Sequence, residues 1–172
     1  SLADVVVSHW LDGLVGVFLQ QPDGTLAMRV DYPAPQAGWD DVAIGDLNGD
    51  GWQDVVKMNG QFPANPNLSV YLQGSDGNLQ DALPYDLGAA VGGGVAAGDV
   101  TGDGLSDAVL SYGGNRPSSH IAVFSQSITG TLGVTTTYPA LDIPEALEIA
   151  DLNTDGRGDV LVVHGGWSSL SV

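Results

Sequence analysis

The chain's 172 residues are room for one domain, or two small ones, and are enough to bury a core. Nineteen Asp and two Glu against four Lys plus Arg give a formal charge of −17, which repels nucleic-acid phosphates and acidic membranes and argues against both as partners. Cysteine is absent, which excludes disulfides and thiolate chemistry, and no apolar run nears the ~18 residues of a membrane span, so no membrane insertion is expected.

The apolar fraction of 43% comes in short runs, which separates this chain from acidic disordered segments. Asp favours turns and oxygen-rich loops where Glu favours helices, and 25 Gly with 9 Pro make long helices implausible. An all-β chain of many short strands is expected. Neither an initiator Met nor a signal peptide is present, as expected for a mature product or an excised part of something longer.

Taken in order, the chain opens on Leu2-Ala3-Asp4, followed by an apolar strand at 5–7 and a second strand reaching Val17-Phe18. A hairpin turn at Pro22-Asp23-Gly24-Thr25 leads to a third strand ending at Tyr32. A fourth, around Val42-Ala43-Ile44, runs into DLNGDGWQDVV at 46–56. The same succession then returns. Strands are expected at 55–56, at Val70-Tyr71, up to Tyr85 and around Gly94-Val95-Ala96, before DVTGDGLSDAV at 99–109. The next set is 108–110, Val123-Phe124, a run to Tyr138 and Leu147-Glu148-Ile149, before DLNTDGRGDVL at 151–161, a strand at 160–163 and a last one at Val172. Turns fall at Ser75-Asp76-Gly77-Asn78 and Ile128-Thr129-Gly130-Thr131.

Asp46, Asp99 and Asp151 lie 53 and 52 residues apart, and Asp4 precedes its counterpart Asp54 by 50. The chain therefore reads as one repeat array over 1–172, with a partial repeat 1–45, repeats 46–98 and 99–150, and a partial repeat 151–172. Four strands per unit of ~52 residues is the arithmetic of a β-propeller blade, and about 3.3 units make an open or partial propeller, since closed rings take four to eight blades. The outer copies share a shorter loop after the first strand and a His at its end, His9 and His164, with Trp10 or Trp167 nearby.

Each motif has the form D-x-[NT]-x-D-G-x-x-D. Ca²⁺ takes six to eight oxygens from a loop that curls around it, and Gly at position six permits the bend. The candidate ligand sets are Asp46, Asn48, Asp50, the Trp52 carbonyl and Asp54, then Asp99, Thr101, Asp103, the Leu105 carbonyl and Asp107, and finally Asp151, Asn153, Asp155, the Arg157 carbonyl and Asp159. Carboxylates this close repel one another without a cation, so about three Ca²⁺ sites are expected, the second weakest because Thr101 is a poorer ligand than an amide. Solvated turns whose Asp side chains bond their own backbone are the alternative. An EF-hand is excluded, because position twelve is Lys57, Leu110 or Val162 in place of Glu and the flanks are β-rich.

These loops at this period resemble the calcium-binding hairpins of FG-GAP/VCBS repeats, the family of the integrin α-subunit propeller and of many secreted proteins. The resemblance covers essentially the whole chain. It implies one blade per repeat with Ca²⁺ between two strands, and roles in adhesion, ligand display or carbohydrate recognition, sometimes beside a catalytic domain.

No nucleophile elbow, zinc-protease helix or Walker loop appears. Gly92-Gly93-Gly94 reads as a kink at the start of a strand, Glu145 and Glu148 as a solvated edge, and Arg157-Gly158-Asp159 as part of the third loop. Loops 59–67, with Phe62, and 112–120, with Tyr112 and Arg116, are candidate ligand surfaces, and Asn67-Leu68-Ser69 is a glycosylation sequon. The expected function is a secreted, extracellular calcium-binding module with no catalytic activity, acting as a structural subunit of a larger propeller, ring or filament through self-association or the remainder of a longer chain. The alternative is an adhesion or carbohydrate-binding module that presents its loops to a glycan or protein ligand, possibly as an accessory to a polysaccharide-active enzyme.

Overall fold

A computed structural model describes residues 2–35, 40–60, 66–88, 92–166 and 168–172. The described residues hold strands and no helix. The strands are β1 Val5–His9, β2 Leu14–Phe18, β3 Val30–Pro33, β4 Asp40–Gly45, β5 Asp54–Asn59, β6 Leu68–Tyr71 and β7 Leu83–Tyr85, then β8 Gly92–Gly98, β9 Asp107–Tyr112, β10 His120–Gln126, β11 Leu132–Pro139, β12 Pro144–Ala150, β13 Asp159–His164 and β14 Ser169–Ser171. They form four sheets in chain order, β1-β2-β3, β4-β5-β6-β7, β8-β9-β10-β11 and β12-β13-β14, every neighbouring pair antiparallel.

The all-β expectation and the strand positions hold, except that the last strand, expected at Val172, is Ser169–Ser171 with Val172 just beyond it. Each sheet is offset by one strand from the sequence unit: the strand before an Asp loop, such as β4, pairs with the strand after it, β5. The loop thus joins the first two strands of its sheet. Val55 and Val56 show why the strands read as apolar runs: Val55 meets Tyr71 on one face, while Val56 meets Val70 on the other. Both valines are buried, because the second sheet is covered on both sides. The Asp-Gly turns form as expected, with Gly24 at φ 85° and Gly77 at φ 81°, a conformation that costs Gly little.

Three apolar layers stack the sheets. Val6, Val15 and Tyr32 of the first sheet pack on Val55 and Tyr71 of the second. Val56, Met58, Leu68 and Val70 pack on Val95, Ala108, Leu110, Ala122 and Phe124 of the third. Ala96, Val109, Ile121 and Val123 pack on Leu147, Ile149, Val160 and Val162 of the fourth. Phe124 is 1% exposed and meets Tyr85 edge-on at 6.1 Å between centroids.

Between the third and fourth sheets the first strands touch backbone to backbone. A Cβ on Gly93 would collide with the Pro144 carbonyl oxygen, and one on Gly94 with that of Glu145. The glycine run is a strand-start irregularity as expected, with a register shift between Gly92 and Gly94, and its purpose is this close approach.

The second sheet also buries an ion pair. Lys57 Nζ lies 2.8 Å from Asp40 Oδ1, with both side chains at 2% exposure or less. It also donates to Asn59 Oδ1 at 2.9 Å, and Asn59 in turn donates to Ser69 Oγ at 2.9 Å.

Candidate metal centre

All three Asp loops sit at the same place, between the first and second strands of the second, third and fourth sheets. Position six is left-handed in each, with Gly51 at φ 87°, Gly104 at 86° and Gly156 at 86°, as the motif requires. Position four is left-handed as well. Gly49 and Gly102 take it at φ 78° and 79°, but the third loop places Thr154 there at φ 62°, where a β-branched residue is strained.

In the first loop Asp46 gathers the turn, accepting from Gly49 N at 2.7 Å and Asp50 N at 3.2 Å on Oδ1 and from Gly51 N at 2.9 Å on Oδ2. Asp50 Oδ1 accepts from Trp52 N at 2.9 Å, and its Oδ2 from Asn48 Nδ2 at 2.9 Å. The third loop repeats this closely: Asp155 N reaches Asp151 Oδ1 at 3.2 Å, Gly156 N reaches Asp151 Oδ2 at 2.9 Å, Arg157 N reaches Asp155 Oδ1 at 2.9 Å and Asn153 Nδ2 reaches Asp155 Oδ2 at 3.1 Å. In the second, Gly102 N and Gly104 N donate to Asp99 at 2.7 and 2.8 Å and Leu105 N to Asp103 at 3.0 Å, while Thr101 has no amide to offer Asp103.

Position nine does something different. Asp54 is fully buried, and its two oxygens accept from Leu47 N at 2.9 Å and from Gln73 N, just past β6, at 2.8 Å. Asp107 likewise accepts from Val100 N and Thr101 N, both at 3.1 Å, and from Gln126 N at 3.0 Å. Asp4 holds the Gln20 N–H at 2.8 Å in the same way, and Asp159 accepts from Leu152 N at 3.0 Å. Asp54 and Asp107 thus clamp the loop to the third strand of their sheets, while among the described residues Asp4 bonds only the backbone past β2 and Asp159 only its own loop. Burial pushes the Asp54 carboxyl above the usual range, the Gln73 and Leu47 N–H groups oppose that, and the charges of Asp50 and Asp46 add to it. Asp107 is raised by burial too, against its N–H donors, with a contribution from Asp103.

The loops interlock along the row. Gly158 N donates to Asp99 O at 2.9 Å, and the Arg157 side chain lies on Gly102. Gln126 Nε2 donates to Asp46 O at 3.1 Å, tying the third sheet to the first loop. The repeat pattern gave no sign of the Gln126 tether, which shows only once sheets are neighbours.

The donors suit a hard cation in kind: at least three carboxylates and a carbonyl per loop, whose oxygens keep lone pairs beyond the bonds named. Among the described residues, though, no three carboxylate or imidazole side chains converge tightly enough to make a ready ion cage. The loop carboxylates are spread over backbone N–H groups.

Of the other candidate surfaces, the described ends of the first long loop are built into the sheet, while the second long loop is exposed over 114–118. Asn59 and Asn67, at the ends of the first long loop, are buried, and Asn67 Oδ1 accepts from Leu87 N at 2.8 Å, so the sequon amide is inaccessible in the folded chain. Phe62 and Trp167 lie outside the described residues. In the second long loop Arg116 pairs with Asp142 at 3.2 Å, and Tyr112 stacks on His120 at 5.5 Å between centroids. Beside it a cleft of about 370 Å³ opens between Gly93, Gly114, Ile143 and Glu145. His9 Nε2 lies 2.9 Å from Arg29 Nη1, and His164, fully buried, lies 2.7 Å from Ser171 Oγ through Nε2. No model of a known protein family matches the chain, and no curated protein matches its sequence.

Proposed function

We propose that the chain is a non-catalytic, extracellular calcium-binding β-repeat module of FG-GAP/VCBS type, a structural subunit of a larger propeller, ring or fibre. The observation that carries this reading is the threefold repetition of one acidic loop, in one backbone conformation, at one position in successive sheets. The carboxylates hold the turn's own N–H groups, and what those bonds leave uncompensated is the negative charge of three carboxylates in one short loop, which a cation would neutralise. Asp46, Asn48, Asp50, Asp54 and the Trp52 carbonyl would hold the first ion, with the corresponding residues for the other two. A bound Ca²⁺ supplies positive charge to carboxylates that otherwise repel, and three would bring the formal charge from −17 to about −11. Asn48 Nδ2 at Asp50 supplies a weaker version of the same field from the loop's own atoms.

The extracellular assignment rests on affinity matching. Extracellular modules bind Ca²⁺ with Kd of about 10⁻⁴ to 10⁻³ M, near the concentration around them. At ~2 mM Ca²⁺ a site of Kd ~10⁻⁴ M adds about 1.8 kcal/mol to stability. Thermal unfolding is therefore expected to shift upward with Ca²⁺ and less with Mg²⁺, with calorimetric titration giving about three sites. A melting temperature and a titration unmoved by Ca²⁺ or by chelator would refute the calcium reading.

A further inference from the structure

The registers define two kinds of sheet face. One carries Val55, Lys57, Ser69 and Tyr71 in the second sheet and, at the same register, Ala108, Leu110, Ala122 and Phe124 in the third. This face always meets the preceding sheet. The other carries Val56, Met58, Leu68 and Val70, or Val109, Ser111, Ile121 and Val123, and always meets the following sheet. Every interface inside the molecule joins one face of each kind.

Two such faces are left open, one of each kind. On the first sheet Val5, Val7, Gly16 and Phe18 stand at the register of Ala108, Leu110, Ala122 and Phe124, with Val5 42% and Val7 38% exposed. On the fourth, Leu161, Val163, Leu170 and the adjoining Val172 stand at the register of Val56, Met58, Leu68 and Val70. Val163, Leu170 and Val172 are 44%, 60% and 73% exposed, whereas Met58, Leu68 and Val70 are at 2% or less.

We infer that these faces bind each other between copies, the fourth sheet of one molecule docking on the first sheet of a second copy. The inference deepens the reading of the chain as a subunit of an assembly and rests on it. The occupant follows from the internal interfaces: the contact repeats the seam between the second and third sheets, branched apolar residues on one side, an aromatic and a small residue on the other. Gly16 takes the small place of Ala122, and Phe18 the aromatic place of Phe124. Arg29 lies across Gly16, held by His9 and by Asp31 at 2.6 Å, and its aliphatic stem adds to the face. Glu148 stands beside Leu161 where the internal faces have Ala43 and Ala96. Glu148 is exposed and lies on β12, the edge strand of its sheet, so it sits at the rim of the contact where water reaches it. Because the two faces differ, the association is head to tail, a geometry that makes rings or filaments.

The chain contains no cysteine, so single-cysteine variants report the contact cleanly. Val7→Cys and Leu170→Cys at exposed positions are expected to form a mixed disulfide when combined and oxidised, and little when each is alone. Light scattering over ~1 µM to ~1 mM is expected to show mass rising with concentration, and Leu170→Lys to weaken association at least about 10-fold while the far-ultraviolet spectrum is unchanged. A monomer at every concentration, or Val7→Cys linking to itself as readily as to Leu170→Cys, overturns the inference. Both measurements are run in Ca²⁺ and in chelator. A Ca²⁺-raised melting temperature with a monomer throughout refutes the docking alone; docking that persists when Ca²⁺ has no effect on melting refutes the calcium reading alone.

Discussion

Lys57 is the place where the repeat breaks its own rule, and replacing it tests what holds the second sheet together. Its register counterparts are Val7, Leu110 and Val162, all apolar. Here an ammonium is buried against Asp40, whose Oδ2 is itself buried without a hydrogen bond. Burial lowers the Lys57 pKa against the pull of Asp40, and burial raises the Asp40 carboxyl against the pull of Lys57. Both directions mean that the charged pair carries a desolvation cost its attraction does not fully offset. Removing one partner leaves the other charge buried alone, at about 3–5 kcal/mol. For a chain of this size that is roughly 6–20 °C in melting temperature. Lys57→Leu and Asp40→Ala are each expected to fall in that range. The double variant, which restores the apolar pattern of the other repeats, is expected to return to within ~1 kcal/mol of the parent or to exceed it.

The pH dependence has a defined sign. Asp40, raised, favours the folded state most below its unfolded pKa, and this is lost as pH rises through the raised value. Lys57, lowered, favours it most above its unfolded pKa, and this is lost as pH falls through the lowered value. The advantage of the double variant is therefore greatest near neutrality and narrows toward alkaline pH. Denaturant and thermal unfolding followed by circular dichroism, on all four proteins of the cycle, measure it. Single variants as stable as the parent, or a double variant as unstable as the two singles added, would refute the reasoning.

Other substitutions test the loops. Asp54→Ala strips two buried N–H groups of their acceptor and is expected to cost ~2–5 kcal/mol, whereas the more exposed Asp159→Ala costs less, both measured in chelator so that no ion contributes. Thr154→Gly relieves the left-handed strain in the third loop and is expected to gain ~1 kcal/mol; a loss would mean that the Thr154 Oγ1 bond to the Asn153 carbonyl at 2.7 Å outweighs it. Gly93→Ala drives a methyl into the Pro144 carbonyl and is expected to cost more than Gly24→Ala, whose Cβ meets nothing but whose φ is strained, in the same unfolding assay.

Much of the fold was legible because the repeat supplies its own controls. Val-aromatic pairs such as Val70-Tyr71 and Val123-Phe124 mark the strand that is buried on both faces, and Asp-Gly marks the turn after it. Strand alternation says that Val55 and Val56 point opposite ways but not which sheet each will meet, so the layers could not be read in advance. The sheet boundary also hid in the pattern: a repeat counted from the Asp loop cuts each sheet after its first strand. Asn59 and Asn67 looked like loop residues because buried polar networks use the same amides as solvent-exposed turns. Lys57 gave no warning at all, since one Lys among valines also fits a strand edge. In the loops the liganding types and the glycine at position six were plain, while the demand at position four was not, since Thr154 masks what Gly49 and Gly102 reveal.

The clamp formed by the ninth-position aspartate separates two roles that the motif runs together. Asp4, Asp54 and Asp107 each reach across to the backbone at or just past the end of the next strand, and this bond serves the sheet whatever the tip of the loop contains. A repeat could then lose its tip carboxylates one by one and persist as a sheet, its anchor intact. Within this one chain the second loop already differs at its tip, with Thr101 where the other two have an amide, while its Asp107 anchor is the same.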